Sequence, residues 1–188
     1  MEIARGPERD LPVMRSDDLE TLIEVEACLD ALRQAQRSED SSAVRLGCDR
    51  VVRLYEEGSD EVRFKIVAGG GPSMPPNQRR QFLERVLRED PSGLVRHEAA
   101  FALSSFPDEA CESLLCCVGL KDPNYLVRHE AAIALMTVGT DRALSCLEKG
   151  LLDSNNEVIM SCRLAISSIH YRTRHRTHTQ FTSRESDS

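Results

Sequence analysis

The sequence predicts an all-α protein, an α-solenoid of about four helical hairpins preceded by an N-terminal capping helix. Three observations lead there. One ten-residue phrase occurs twice, LVRHEAAFAL at 94–103 and LVRHEAAIAL at 126–135. Weaker copies flank it, EVRFKIVAGG at 61–70 and EVIMSCRLAI at 157–166, so Phe64, His97, His129 and Met160 fall 33, 32 and 31 residues apart. A period in the low thirties with two helical stretches per period describes stacked helix pairs. The composition agrees, with 40% apolar residues, only 4% aromatic and no Trp. A core of Leu, Val, Ile and Ala suits packed helices better than a β-sandwich.

The elements follow in chain order. Residues 1–16 carry no apolar run and are expected to be flexible; no stretch approaches eighteen apolar residues, so neither a signal peptide nor a membrane span is predicted. The capping helix covers 17–37, and the array runs from 17 to 171. Its DDLETLIEVEACLD segment (17–30) has six acids and no base. Such a run attracts a basic partner or, more commonly, forms a solvated helix face. The hairpins span roughly 41–69, 77–105, 108–138 and 141–171. Asp-Pro at 90–91 and 122–123, and DSNN at 153–156, are the turns before each second helix. GGGPSMPP (69–76) is expected to be a non-helical loop, either plain or a lid over a site. The tail at 172–188 is polar and lacks apolar periodicity, which predicts disorder. His170 just before it, and His175 and His178 within it, read as solvated side chains rather than a metal site.

A net charge of −7 argues against nucleic-acid binding, which requires a basic stripe. Seven scattered Cys without a CxxC pair read as reduced thiols, which points to the cytoplasm. AGGG (68–71) follows no strand and lacks a phosphate-loop Lys, so phosphate binding is unsupported. No Ser-His-Asp or Cys-His spacing stands out.

The doubled phrase carries the candidate site. At 100° per residue, Val95, Ala99, Ala102, Leu103 and Phe106 gather on one side of a helix. Val127, Ala131, Ala134, Leu135 and Val138 do the same one repeat later. His97 points away from this seam and Glu98 lies about 100° around; His129 and Glu130 repeat the arrangement. Packing therefore accounts for Val, Ala and Leu and leaves His-Glu unexplained. A recent duplication is the competing account, weakened because identity ends where the phrase ends. Arg96 and Arg128 are expected to pair with turn acids such as Asp90 and Asp122 in an inter-repeat ladder. Tyr125 either lines the site or packs locally, since Gly93 holds its equivalent place.

Neighbouring helices lie about 8–10 Å apart, so equivalent side chains one repeat apart can converge on one ion. Imidazole with carboxylate suits iron or another mid-series divalent metal, and two His with one carboxylate is an oxygen-activating iron set. One chain offers His97, Glu98, His129 and Glu130, enough for one mononuclear site and too few for a well-held dinuclear one.

At these residues the chain resembles the HEAT-like repeat family that includes phycobilisome lyase subunits, and most closely one half of the deoxyhypusine hydroxylases. Those are dinuclear iron monooxygenases of two similar halves, each with four hairpins and His-Glu pairs in the second and third. The resemblance covers about 60–170, and the flanking repeats carry Phe64-Lys65 and Met160-Ser161 instead of His-Glu. It implies that His97 and His129 hold one iron, while Glu98 or Glu130 reaches the iron held by a partner. It further implies a homodimer with two irons, dioxygen as co-substrate, and hydroxylation of a cationic side chain on a protein or peptide. The alternatives are a non-catalytic protein-binding scaffold, a phycobilin-lyase-like module that grips a tetrapyrrole-bearing subunit, and a mononuclear site within one chain.

Overall fold

The computed structural model describes residues 16–70, 73–106 and 108–185. All regular structure among them is helical, and no helix there is long and apolar enough to cross a membrane. The expected flexible stretch before Ser16 lies outside the described residues. The chain resolves into two compact units, one ending at Lys65 and the other beginning at Ile66.

The first unit holds α1 (Ser16–Arg37), α2 (Ser41–Glu57) and α3 (Asp60–Lys65), packed on one another. Asp40 starts α2 by accepting hydrogen bonds from the backbone N–H of Ser42 and Ala43 at 3.0 Å. Val25, Leu29 and Leu32 of α1 are fully buried with Val51 and Val62. Three of the six acids in the run of α1 are paired locally. Glu24 pairs with Arg50, Glu26 with Lys65 at 2.7 Å and Asp30 with Arg33 at 2.5 Å.

The second unit opens with a π-helical turn (Ile66–Gly70). The Gly-rich loop predicted from 69 is thus helical in its first two residues, because glycine tolerates the wider turn. Ser73 and Met74 further on are buried. Three hairpins follow: α4 (Pro76–Glu89) with α5 (Gly93–Leu103), α6 (Glu109–Cys117) with α7 (Tyr125–Val138), and α8 (Asp141–Gly150) with α9 (Asn156–Glu185). A 3₁₀ turn at Gly119–Lys121 joins α6 to α7. Asp108, Asn124 and Thr140 cap α6, α7 and α8 with side-chain oxygens. Gly139 ends α7 in the left-handed region at φ 69°, where a side chain would be strained.

The second helices form one layer, with α5 against α7 and α7 against α9. Val95, Ala99, Val127, Ala131, Leu103 and Leu135 are fully buried, as the periodicity predicts. Phe106 and Val138 are only partly covered, because they sit at or beyond the helix ends; the Arg79 guanidinium lies 5.2 Å over the Phe106 ring. The small side chains matter for spacing: Gly119 approaches Ala131 so closely that an added Cβ would sit 2.5 Å from the Ala methyl. Gly93 meets Asn124, the cap of α7, in the same way at 2.1 Å. A side chain at 93, where the next repeat has Tyr125, would displace the Asn124 side chain that caps α7.

The backbone of α9 is helical through Glu185, and no Gly or Pro interrupts 156–185. One sequence expectation is corrected. The seven cysteines are not all reduced: Cys116 of α6 is bonded to Cys146 of α8, with Cα atoms 5.8 Å apart. Stacking brings the first helices of adjacent repeats together, and a separation of 30 residues is close to the repeat period. The argument for the cytoplasm drawn from reduced thiols falls with it.

Candidate metal centre

The Arg of each phrase sets the register between repeats. Arg96 gives two parallel hydrogen bonds to the Asp122 carboxylate, Nε at 2.7 Å and Nη2 at 2.8 Å, and its Nη1 donates to the Asp90 carbonyl at 2.7 Å. Arg128 repeats the pattern on Asp153, at 2.7 and 2.9 Å, and on the Asp122 carbonyl at 2.7 Å. The expected ladder exists, but each Arg takes the carboxylate of the next repeat and only the carbonyl of its own turn acid. Asp122 and Asp153 also accept the N–H of Asn124 and Asn155 at 2.8 Å. Fork-to-carboxylate geometry fixes orientation as well as distance, so each second helix is locked to its neighbour one residue before its His.

This register brings the phrase residues together across helices. His97 Nε2 lies 3.4 Å from Glu130 Oε2. His129 Nδ1 lies 2.6 Å from the Ser161 hydroxyl of α9. In both cases a His meets the side chain at the Glu position of the following repeat. Glu130, expected off the core, is buried at 8% exposure because it sits at this helix–helix contact. The His97 imidazole titrates above its ordinary range, chiefly through its hydrogen bond to Glu130 and against the cost of burial. Its Nδ1 is buried with no hydrogen-bond partner. Glu98 is half-buried and its carboxyl is pushed up, first by burial and further by the Glu130 charge, while His97 pulls it down.

All four predicted residues thus lie on adjoining helices, yet they do not converge on one point. Among the described residues, no group of three or more His, Cys, Asp or Glu is placed to hold a metal ion. What the chain does present is a donor pair. A separation of 3.4 Å is about what two atoms have when they share one ion with bonds of roughly 2.0–2.2 Å. His97 and Glu130 therefore fit a single metal as two of its ligands, and the orphaned Nδ1 is a polar atom without a protein partner. His170 is exposed and, in the tail, His175 rests 4.2 Å from the Tyr171 ring, so neither joins the cluster; the His178 side chain lies outside the described residues.

Apolar side chains border this polar strip. Leu94 and Phe101 of α5 are 54% and 56% exposed, and Met160 and Leu164 of α9 are 53% and 58% exposed. Ser161 is the residue missing from the sequence's candidate set, standing where the preceding repeats carry Glu. Its signal was positional, since it stands 31 residues after Glu130, in the column that each preceding His reaches.

Residues 80–167 match the family described as HEAT repeats. Human deoxyhypusine hydroxylase, solved in complex with glycerol, is a structural neighbour with a TM-score of 0.55 and 22% identity. The match covers 85% of this chain and 48% of that one, so the chain spans about half the length of its neighbour. At that identity the likeness speaks to the fold. No curated protein sequence matches the chain.

Proposed function

We propose that this HEAT-repeat chain is half of an iron-dependent hydroxylase whose site is completed by a second copy of itself. The observation that carries the reading is the His97–Glu130 pair, two donors of different helices held 3.4 Å apart. His129 and Glu98 on the same two helices supply the further donors, and the apolar residues around them suit burial against a second protein surface. The neighbour's chain is about twice as long as the part this chain covers, which a two-fold dimer would match, because an isologous interface presents the same ligands twice. Two irons per dimer and dioxygen as co-substrate are the expected complement, and the cytoplasm the expected compartment.

Bound iron with open coordination positions supplies dioxygen activation for C–H hydroxylation. The chain's own residues do the rest. The Arg96–Asp122 and Arg128–Asp153 forks hold α5, α7 and α9 in register, so that the donors keep their spacing. Leu94, Phe101, Met160 and Leu164 exclude water from the strip once covered. Glu98 and Glu130 favour a cationic substrate, such as a modified lysine side chain on a protein or peptide.

Metal analysis coupled to size-exclusion chromatography tests this. Protein prepared with iron should carry about one iron per chain and elute at twice the 21.0 kDa of one chain. His97→Ala and His129→Ala should lose iron while keeping their helical content. A folded, metal-free monomer would overturn the proposal, and stoichiometric iron on a monomer would favour a mononuclear site. A second reading, a non-catalytic module gripping a protein or a tetrapyrrole-bearing subunit, is favoured by the lack of three gathered donors among the described residues. Retention of partner binding in His97→Ala would mark it.

A further inference from the structure

We infer that Ser161 is a positioning residue that fixes the tautomer of His129, leaving Nε2 as the nitrogen with the free lone pair. The argument is one of counting protons. A serine hydroxyl has one hydrogen to give. Ser161 Oγ lies 2.8 Å from the Glu157 carbonyl one helical turn back, an acceptor that can only receive that hydrogen. Its contact with His129 Nδ1 at 2.6 Å must then run the other way, with Nδ1–H donating to the hydroxyl oxygen. The neutral imidazole carries one ring hydrogen, so Nε2 is left bare. Among the described residues Nε2 has no hydrogen-bond partner and is not buried.

Ser161 is well placed to hold this arrangement. It is 5% exposed, so water does not compete freely for either hydrogen bond. It stands where the preceding repeat has Glu130, and there the outcome differs: Glu130 engages Nε2 of His97 and leaves Nδ1 bare. In the doubled phrase the side chain one repeat further on therefore meets opposite ring nitrogens of the two histidines, Nε2 of His97 and Nδ1 of His129. Ligand orientation by such an outer partner is a general feature of metal-bound imidazoles. The metal consequence rests on the proposal above that His129 is a ligand; the tautomer does not.

The test is a long-range ¹H–¹⁵N correlation spectrum of the full-length, metal-free protein at about pH 8, where an ordinary imidazole is neutral. His129 is assigned by its loss in His129→Asn. The expected result is His129 as the Nδ1–H form, a shift toward Nε2–H in Ser161→Ala, and the original form in Ser161→Thr, which keeps the hydroxyl. Nε2–H in the unaltered protein would overturn the inference, as would an unchanged ring in a folded Ser161→Ala; should that variant fail to fold, the unaltered protein's spectrum decides alone. Titration with Fe(II) or Co(II) forms the second arm, with affinity expected to fall roughly ten- to a hundredfold in Ser161→Ala and to recover in Ser161→Thr. An Nδ1–H ring in a protein that binds neither metal would remove the hydroxylase reading and leave the role of Ser161 standing.

Discussion

Asp153 shows how a single residue ties the repeats to pH. Its carboxyl is held below its ordinary value, first by the hydrogen bond from Arg128 and also by the Asn155 N–H, with burial opposing. A carboxyl with a lowered folded-state value binds protons more readily when unfolded. Its stabilisation is therefore present above the ordinary value of 3.8 and lost as pH falls through the folded-state value. Asp153→Asn should accordingly be less stable than the parent at neutral pH, with the gap closing below about pH 4, as read from urea midpoints across pH. A constant gap at every pH would show that the residue acts through packing alone. The Arg96 and Arg128 ladder was legible from the spacing of Arg and Asp. Which carboxylate each Arg takes was not, because one side chain's reach spans both its own turn and the next.

At the scale of elements, the caps and turns were written locally: Asp40, Asp108, Asn124 and Thr140 start helices where the sequence places them, and Gly139 stops one. The Cys116–Cys146 bond belongs to the stacking of α6 and α8, and no local pattern announced it. Closing a loop of about 30 residues constrains the unfolded chain by roughly 3.6 kcal/mol. Cys146→Ser should lower unfolding stability by about that amount, and the parent should respond to reductant in the same direction. Titration of denatured, unreduced protein should read five thiols against seven after reduction. Seven thiols without reductant would show that the bond does not form in solution.

For the whole molecule, the decisive quantity is what covers the strip of His97, Glu98, His129 and Glu130. The exposed Leu94, Phe101, Met160 and Leu164 are the apolar surface that the proposed second copy would cover. Phe101→Glu places a charge in that face without touching the buried seam of α5. It should yield folded monomers by light scattering, with iron lost alongside the dimer; an unchanged dimer would move the interface elsewhere.

The sequence by itself determined the helical repeats, their period and the buried Val, Ala and Leu seam. Each of these is local, set by spacing along one helix or by one turn. Tertiary structure alone decided that His97 meets Glu130, that His129 meets Ser161 and that Cys116 meets Cys146. Those meetings depend on the offset between stacked helices, and an offset of one residue changes which side chain stands opposite. That is why the four residues of the doubled phrase could be named from the sequence, while the way they pair could not.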